Sequence, residues 1–284
     1  MEESPDGRRF VVFLDLDGTL LNTVLTVGKE TQEVLRIAES IADFVLCSGR
    51  PLVSCRLMAE KLFAAPKYII STGGGVIYDC VSDSLLRVTY FEDEVALELA
   101  SIGQASSAAT CIYQPRMWYA ARQDRTAVEE TGRSGATPIW IDDLRNVING
   151  VVKVLFILDP TRVQALRASL LETGLPIHMF SSHPEYLEVL PIGSNKGSAV
   201  RCVMERFHGD SMSITTVGIG NGLADVAMFE MVDVSVAVAN SDETALASAT
   251  YIAPSNDDSG AAVAIRGIVL NEKWAIGQLR SRGL

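Results

Sequence analysis

Residues 10–22 of the chain read F-V-V-F-L-D-L-D-G-T-L-L-N. The apolar, β-prone first part predicts a buried strand, Phe10–Leu14, that ends at two carboxylates, Asp15 and Asp17. Residues two apart in a strand share a face, so both acids should project together from the strand's carboxyl end. Two uncompensated charges there would repel each other. They make sense when a cation lies between them and one carboxylate is free to attack an electrophile.

Strand-like and helix-like runs alternate on both sides of this stretch. Thr31 and Pro51 are helix-start signals between the first strands, and the same rhythm returns after Lys196. This alternation is typical of a parallel, doubly wound sheet. The predicted core strands are Phe10–Leu14, Phe44–Cys47, Tyr68–Ile70, Ile214–Gly218 and Val234–Val238. The predicted core helices are Thr31–Ser40, Pro51–Phe63, Lys196–Phe207, Asp225–Met231 and Gly260–Val269.

The regular alternation of strands and helices is lost between about residues 88 and 187. Here the predicted elements are helices Glu92–Ile102 and Thr161–Thr173, and strands Thr110–Tyr113, Trp118–Arg122, Val151–Leu158, His178–Phe180 and Tyr186–Val189. The mixture indicates a mostly antiparallel sheet. We therefore predict an α/β protein with a doubly wound, Rossmann-like core of residues 1–87 and 188–284. An α+β cap domain of residues 88–187 is inserted into it.

The composition limits the classes of function. Among 284 residues, 35 Asp and Glu exceed 24 Lys and Arg by 11, so binding to nucleic acid or to an anionic membrane is not expected. The five cysteines are scattered without a C-x-x-C pair, which favours reduced thiols over disulfides or a zinc site. No apolar run reaches transmembrane length, and the N-terminal segment is polar. We expect a cytoplasmic protein; the oligomeric state stays open.

Further candidate sites accompany the acid pair at the ends of predicted strands, where open α/β sheets bind ligands. Ser48 follows F-V-L-C, and a hydroxyl there, with the amides of the next helix, can hold a phosphate oxygen. Lys196, in P-I-G-S-N-K-G, can neutralise phosphate and carboxylate charge. The segment G-I-G-N-G-L-A-D contributes Asn221 and Asp225.

Each of these later sites also has a plainer interpretation. Taken alone, Ser48 and Asp225 would cap helices, and Lys196 would be a solvated side chain. Residues Gly73–Gly75 alone would form a backbone turn. The order and spacing of the set carry the inference.

Several motifs in this order resemble the haloacid dehalogenase-like hydrolase superfamily, in its Cof-like and sucrose-phosphatase-like branch. The first, second and third motifs are D-L-D-G-T-L-L-N, C-S-G-R and N-K-G. The stretch S-T-G-G-G-V-I-Y-D resembles the turn that precedes the family's cap, and E-Y-L-E-V-L-P-I-G-S-N-K-G resembles the return from the cap to the core. The resemblance covers most of the chain.

The resemblance implies a Mg²⁺-dependent phosphatase acting on a small phosphorylated metabolite. Asp15 would attack phosphorus to form an aspartyl-phosphate, and Asp17 would protonate the leaving alkoxide and then activate water. Ser48 and Lys196 would hold the transferring phosphoryl group. The substrate-binding candidates are Gly18, Gly49, Arg50 and Gly74.

The fourth motif departs from the family's usual G-D-x-x-N-D-x-x-M. With Met228 as anchor, Asn221 stands at the first acid and Ala224 at the usual Asn, so only Asp225 remains. A neutral amide removes one negative charge from the shell of a hard cation. Three interpretations stay open: a phosphatase with weaker metal binding, one that uses Asp225 directly, or a fold whose activity has decayed. The predicted metal ligands are Asp15, Asp17 (through its carbonyl), Asn221 and Asp225.

In this branch the cap selects the leaving group. The cap candidates are Arg116, Trp118, Tyr119, Lys153, His183 and Glu188. The two aromatic residues are more typical of a strand core, and a surface turn is the plainer interpretation of His183. By analogy alone, a sugar phosphate is the expected substrate. Two rivals remain: a phosphomutase of the same fold, and a non-catalytic phospho-ligand-binding protein with a decayed metal site.

Overall fold

The structure is a computed structural model that describes residues 9–121, 125–207 and 213–281. In chain order the strands are β1 (Arg9–Leu14), β2 (Ala42–Cys47), β3 (Tyr68–Ser71), β4 (Val76–Asp79), β5 (Ser84–Val88), β6 (Ala109–Tyr113), β7 (Trp118–Ala121), β8 (Ile139–Ile141), β9 (Lys153–Ile157), β10 (Ile177–Phe180), β11 (Tyr186–Pro191), β12 (Ile214–Gly220), β13 (Val234–Val238), β14 (Tyr251–Ala253) and β15 (Arg280–Ser281).

The helices lie between these strands. They are α1 (Lys29–Ala38), α2 (Leu52–Leu62), α3 (Asp93–Ser106), α4 (Arg125–Ser134), α5 (Pro160–Glu172), α6 (Lys196–Met204), α7 (Leu223–Phe229), α8 (Glu243–Ser248), α9 (Gly260–Ile268) and α10 (Lys273–Ile276). Within the described ranges, none of them is long and apolar enough to span a bilayer.

The larger sheet has the order β15-β14-β13-β12-β1-β2-β3-β4-β5. The strands from β14 to β3 are parallel, and β4, β5 and β15 add antiparallel edges. Along β1, Val12 and Leu14 pack with α1, α2 and α9, whereas Val11 and Phe13 pack with α6 and α7. Helices on both faces explain why this strand is apolar almost throughout. The predicted doubly wound parallel core is confirmed.

The smaller sheet has the order β10-β11-β9-β6-β7-β8 and is antiparallel except where β7 meets β8. Helices α3 and α5 cover one face, with Leu99 and Leu166 among their buried contacts. The predicted boundary between residues 187 and 188 falls inside β11. That strand stays paired in the smaller sheet as far as Pro191, which is opposite Ile177, so the chain leaves this sheet after residue 191.

The polar stretch before Pro138 contains α4, and β8 follows it; the sequence analysis assigned neither. The buried positions of α4 include Ala127, Glu130 and Ser134, which are small or polar. Its one large aliphatic residue, Val128, is exposed, so α4 has no apolar stripe of the kind that marks a core-facing helix. The predicted strand Trp118–Arg122 ends at Ala121, and Arg122 lies outside the described residues.

Candidate active site

A cavity of about 830 Å³ separates the carboxyl edge of the larger sheet from the smaller domain. Its wall on the core side includes Asp15, Asp17, Arg50, Lys196, Asn221 and Asp225. Its wall on the cap side includes Glu130, Arg133, Lys153, His183, Tyr186 and Glu188. The structure thus brings residues from four distant sequence motifs to one opening, as ligand sites in open α/β sheets require.

Lys196 joins two carboxylates in the floor of this cavity. Its Nζ lies 2.6 Å from Asp15 Oδ1 and 2.6 Å from Asp225 Oδ1. The Lys196, Asp15 and Asp225 side chains are only 4%, 8% and 2% exposed. Lys196 is therefore no solvated side chain: α6 begins at this residue and directs it inward beside β1 and α7.

Burial shapes the protonation of this ion group. Burial raises the pKa of Asp15 to about 7, the neighbouring Asp225 charge adds to the increase, and Lys196 opposes it. Burial alone would lower the pKa of Lys196, but the two carboxylates outweigh it and raise that pKa above its usual value. Lys196 is thus a fixed cation that favours the ionised form of the carboxylate beside it.

Asp225 is the third residue of α7, not the first as predicted, and its side chain caps the start of that helix. Its Oδ2 accepts hydrogen bonds of 2.9 Å from the backbone N–H groups of Asn221 and Gly222. Its Oδ1 is the oxygen bound to Lys196. Both oxygens are therefore engaged, and the capping interpretation and the Lys196 contact apply to the same carboxylate.

Asp17 faces the cavity but has a different partner. Arg50 binds it with two parallel hydrogen bonds, Nε to Oδ2 at 2.8 Å and Nη2 to Oδ1 at 2.5 Å. The Asp17 side chain is 48% exposed, and that of Arg50 is 10% exposed. The two acids of the first motif thus line the same cavity. Asp15 is buried and pairs with Lys196, whereas Asp17 is partly exposed and pairs with Arg50.

The second motif supports this arrangement mainly through its backbone. Ser48 is buried, and its Oγ accepts the N–H of Arg50 at 3.1 Å. The Ser48 carbonyl accepts the N–H of Gly73 at 2.9 Å, which ties the loop to the glycine turn. Gly49 and Arg50 line the cavity, and Gly73 reaches it from that turn.

Two of the predicted substrate-binding glycines, Gly18 and Gly74, lie very close to other parts of the protein. Gly74 has φ +104°, and a Cβ added there would lie 2.3 Å from the Asn195 carbonyl oxygen, next to Lys196. Gly18 has φ +77°, and an added Cβ would lie 2.4 Å from Asn221 Nδ2. These close approaches need glycine, because any side chain would clash in a left-handed backbone. Neither residue is part of the cavity wall.

A Mg²⁺ site can be tested against the donors present. Asp15 has a second carboxylate oxygen, and Asn221 lines the same cavity, where its Oδ1 accepts a 3.1 Å hydrogen bond from Thr19 Oγ1. Together with the Asp17 carbonyl they would supply an all-oxygen set of the kind that Mg²⁺ prefers. The set has only one carboxylate, because Asp225 is engaged elsewhere. Across the described ranges, no group of three or more His, Cys, Asp or Glu side chains is arranged to hold a metal.

The cap candidates divide into two groups. Lys153, Glu188 and His183 line the cavity. Trp118 is buried and stacks on Tyr113 with ring centroids 5.5 Å apart. Tyr119 and Arg116 are also outside the cavity wall, and Arg116 lies over the Tyr78 ring.

The sequence analysis missed several residues of the cavity wall. Glu130 and Arg133 lie on α4, and both contact the hydroxyl of Tyr186; the Arg133 Nη1 contact is 3.0 Å. Burial raises the pKa of Glu130. Asn240 follows β13 and donates to the Gly18 carbonyl at 2.8 Å. Its position after a core strand was a usable signal, whereas the α4 pair depends on a helix that the pattern did not reveal.

Comparison with known proteins now adds to this geometry. Residues 12–265 match the model of a family described as haloacid dehalogenase-like hydrolase. The chain belongs to this family. It is 27% identical over 263 residues to the 5-amino-6-(5-phospho-D-ribitylamino)uracil phosphatase of Bacillus subtilis, covering 92% of this chain and 96% of that one.

Two further proteins extend the comparison. An HMP-PP phosphatase of Cronobacter sakazakii is 27% identical over 240 residues, covering 84% of this chain and 87% of the other. A crystal structure from Thermotoga maritima superposes with a TM-score of 0.79 at 26% identity, covering 92% of this chain and 97% of that one. These matches confirm the predicted superfamily and fold and the prediction of a phosphatase of this family.

Proposed function

We propose that this protein is a Mg²⁺-dependent phosphatase that hydrolyses a small phosphorylated metabolite, a sugar phosphate, through an aspartyl-phosphate on Asp15. The observation that carries the proposal is the buried Lys196 bridge between Asp15 and Asp225 in the floor of the cavity. A buried carboxylate held by a fixed cation, and open on its other oxygen, is suited to nucleophilic attack on an anionic ester.

In the first step, an Asp15 oxygen forms a bond to phosphorus as the bond between phosphorus and the ester oxygen breaks. Asp17 gives its proton to the departing alkoxide. Lys196 and the Ser48 loop hold the phosphoryl oxygens during this transfer. The products of the step are the free alcohol and the aspartyl-phosphate.

In the second step, water attacks phosphorus and Asp17 accepts its proton. The acyl-phosphate bond breaks, which returns Asp15 as a carboxylate and releases inorganic phosphate. Mg²⁺, held by Asp15, the Asp17 carbonyl and Asn221, would supply positive charge that offsets the phosphoryl group. Asn221 gives this set one carboxylate fewer than the family pattern.

The cellular setting is part of the same proposal. The five cysteines all lie within the described ranges and form no disulfide. Reduced thiols and an excess of acidic residues fit a cytoplasmic enzyme with a small-molecule substrate and no nucleic-acid or membrane partner. We make no proposal on its oligomeric state.

A screen of phosphorylated metabolites with and without Mg²⁺ tests the proposal, with release of inorganic phosphate as the readout. We expect Mg²⁺-dependent turnover of at least one sugar phosphate and of a generic aryl phosphate. The Asp15→Asn variant should lose both. Turnover that persists in Asp15→Asn would contradict the assigned nucleophile.

Two rival functions give different results in the same screen. A phosphomutase would form a phosphate isomer without free phosphate. A phospho-ligand binder, favoured by Asn221 and Ala224 in the fourth motif, would bind phosphate and turn over neither the aryl ester nor any metabolite. Either result would replace the phosphatase proposal.

A further inference from the structure

Arg50 lies where the first motif, the second motif and the cap meet. Its Nε and Nη2 bind the two oxygens of Asp17, at 2.8 Å and 2.5 Å. Its Nη1 donates to the backbone carbonyl of Ser134 at 3.3 Å. All three guanidinium nitrogens therefore have protein partners, and the side chain is 10% exposed.

The cap contributes the carboxyl end of α4 to this junction. Ser134 is the last residue of that helix and is buried. Its carbonyl accepts a hydrogen bond from the Ser54 hydroxyl of α2 as well as the one from Arg50. The last carbonyls of a helix lack partners within the helix and carry partial negative charge, so a guanidinium satisfies both needs.

A second contact ties the cap to the same loop. Lys153, at the start of β9, donates from its Nζ to the Gly49 carbonyl at 2.9 Å. Glu188 forms an ion pair with Lys153, and both side chains are almost fully buried, at 3% and 4% exposure. The loop Gly49–Arg50 is thus held on both sides by groups that belong to the cap.

We propose that Arg50 is a positioning residue for Asp17, and that docking of the α4 carboxyl end on the core fixes the orientation of both. The inference rests on the proposed function, since it assigns a role in the reaction of Asp17. The guanidinium is planar and donates in a rigid fork, so fixing Nη1 on Ser134 fixes the plane in which Asp17 is gripped. The cap thereby sets the geometry of the acid and base group.

This role differs from direct binding of substrate. The hydrogen bonds to Asp17 and Ser134 use three of the five guanidinium N–H groups, and one N–H on each Nη is left for a phosphoryl oxygen, so kinetics must separate the two roles. A group that acts through Asp17 should affect turnover more than affinity. A misplacement of about 1 Å can cost a hundredfold in rate, so even a small loss of orientation is measurable.

A double-mutant cycle between Arg50 and Asp17 tests the inference. Steady-state hydrolysis of an aryl phosphate is measured in the wild type, Arg50→Lys, Asp17→Asn and the double variant, along with inhibition by inorganic phosphate. We expect Arg50→Lys to lower kcat about ten- to a hundredfold, with the KM and the phosphate inhibition constant within about twofold of the wild type. In the Asp17→Asn background, Arg50→Lys should cause no further loss.

Additive losses in the cycle, or weaker inhibition by phosphate, would overturn the inference and assign Arg50 to the substrate. A parallel cycle with Ser54→Ala and Asp17→Asn tests the contact between the core and the carboxyl end of α4. It also tests the inference if Arg50→Lys does not fold. Ser54→Ala should lower kcat about threefold, and only while Asp17 is present. Equal losses with and without Asp17 would contradict the coupling.

A matched control and a separate readout keep the two proposals apart. Arg56→Lys changes another arginine, which lies within α2 and outside the cavity wall and pairs with Asp83, and it should leave kcat unchanged. Absence of turnover in the wild type would sink the proposed function. Normal turnover that depends on Asp15, combined with an additive Arg50 cycle, would sink this inference alone.

Discussion

The two walls of the cavity differ in how they hold charge. On the core side, the side chains of Lys196, Asp15 and Asp225 are each less than one-tenth exposed, and Lys196 Nζ lies 2.6 Å from an oxygen of each carboxylate. On the cap side, the Lys153–Glu188 pair is as buried, but Arg133 of the cavity wall pairs with Glu185 at 3.5 Å, and these two side chains are 46% and 42% exposed. Buried ions depend strongly on their partners, whereas exposed pairs contribute only about 0–1 kcal/mol. The core can therefore keep one chemistry while the cap changes its side chains and its substrate.

Among the variants considered, Lys196→Met should cause the largest losses of stability and turnover. Removing a buried cation leaves Asp15 and Asp225 without their partner, so we expect a loss of about 3–5 kcal/mol in stability and of at least about a thousandfold in kcat. Chemical denaturation and steady-state kinetics measure the two effects. Lys67→Met, at a partly exposed ion pair with Asp43, is the control and should change stability by less than about 1 kcal/mol.

The stability lost in Lys196→Met should also depend on pH, because Lys196 affects the protonation of Asp15. The folded pKa of Asp15 is about 7 against an ordinary value of 3.8, so the folded state holds this proton more tightly than the unfolded state. The contribution of this group to stability therefore falls as pH rises from about 4 to 7. Without Lys196 the folded pKa of Asp15 should be higher still, so the fall should continue to a higher pH. A pH-independent difference between Lys196→Met and the wild type would contradict this explanation.

Glu188→Gln tests whether a buried pair in the cap behaves like the core. Lys153 and Glu188 are as buried as the Lys196 group. Loss of one partner should cost about 3 kcal/mol, and Lys153→Met combined with Glu188→Gln should recover part of that loss. Thermal or urea unfolding of the four proteins measures the coupling. Strictly additive losses would show that the pair does not act as a unit.

Asn221→Asp sharpens the contrast by adding a charge to the core wall. A second carboxylate should tighten Mg²⁺ binding about tenfold. Calorimetric titration of Mg²⁺ provides a readout that does not depend on turnover, and the Mg²⁺ dependence of activity should shift in parallel. An unchanged metal affinity would count against the placement of Asn221 at the metal.

Arg133→Ala should have the smallest effect. Its contacts with Tyr186 and Glu185 are exposed, so stability should change by less than about 1 kcal/mol. The KM should rise for a metabolite that fills the cap side and stay constant for a small aryl phosphate. Arg145→Ala, at an exposed pair with Asp143 outside the cavity wall, should change neither. A loss of kcat with every ester would move Arg133 from substrate selection into the chemistry.

The sequence predicted the core wall better than the cap wall, for physical reasons. Asp15 and Asp17 follow a strand whose period of two predicts that they face the same side, and both line the cavity; the helix start at Lys196 carries a motif of its own. The partner of Arg50 could not be predicted, because Asp17 is 33 residues away and either a ligand or a carboxylate suits a guanidinium. The α4 pair, Glu130 and Arg133, was missed because the buried face of that helix is polar.

The glycine turn shows the same limit. A run of glycines predicts a left-handed turn, as found at Gly73 and Gly74. Only the folded chain reveals that Gly74 is there to admit the Asn195 backbone, and that Gly73 is the residue that reaches the cavity.

The nucleophilic role of Asp15 can be tested most directly by trapping the intermediate. Enzyme in steady-state turnover with a phosphate ester is quenched rapidly in acid, digested and analysed by mass spectrometry. The account predicts one phosphoryl group on the peptide that contains Asp15, absent from the Asp15→Asn variant. Phosphorylation at another residue, or full turnover by Asp15→Asn, would contradict it.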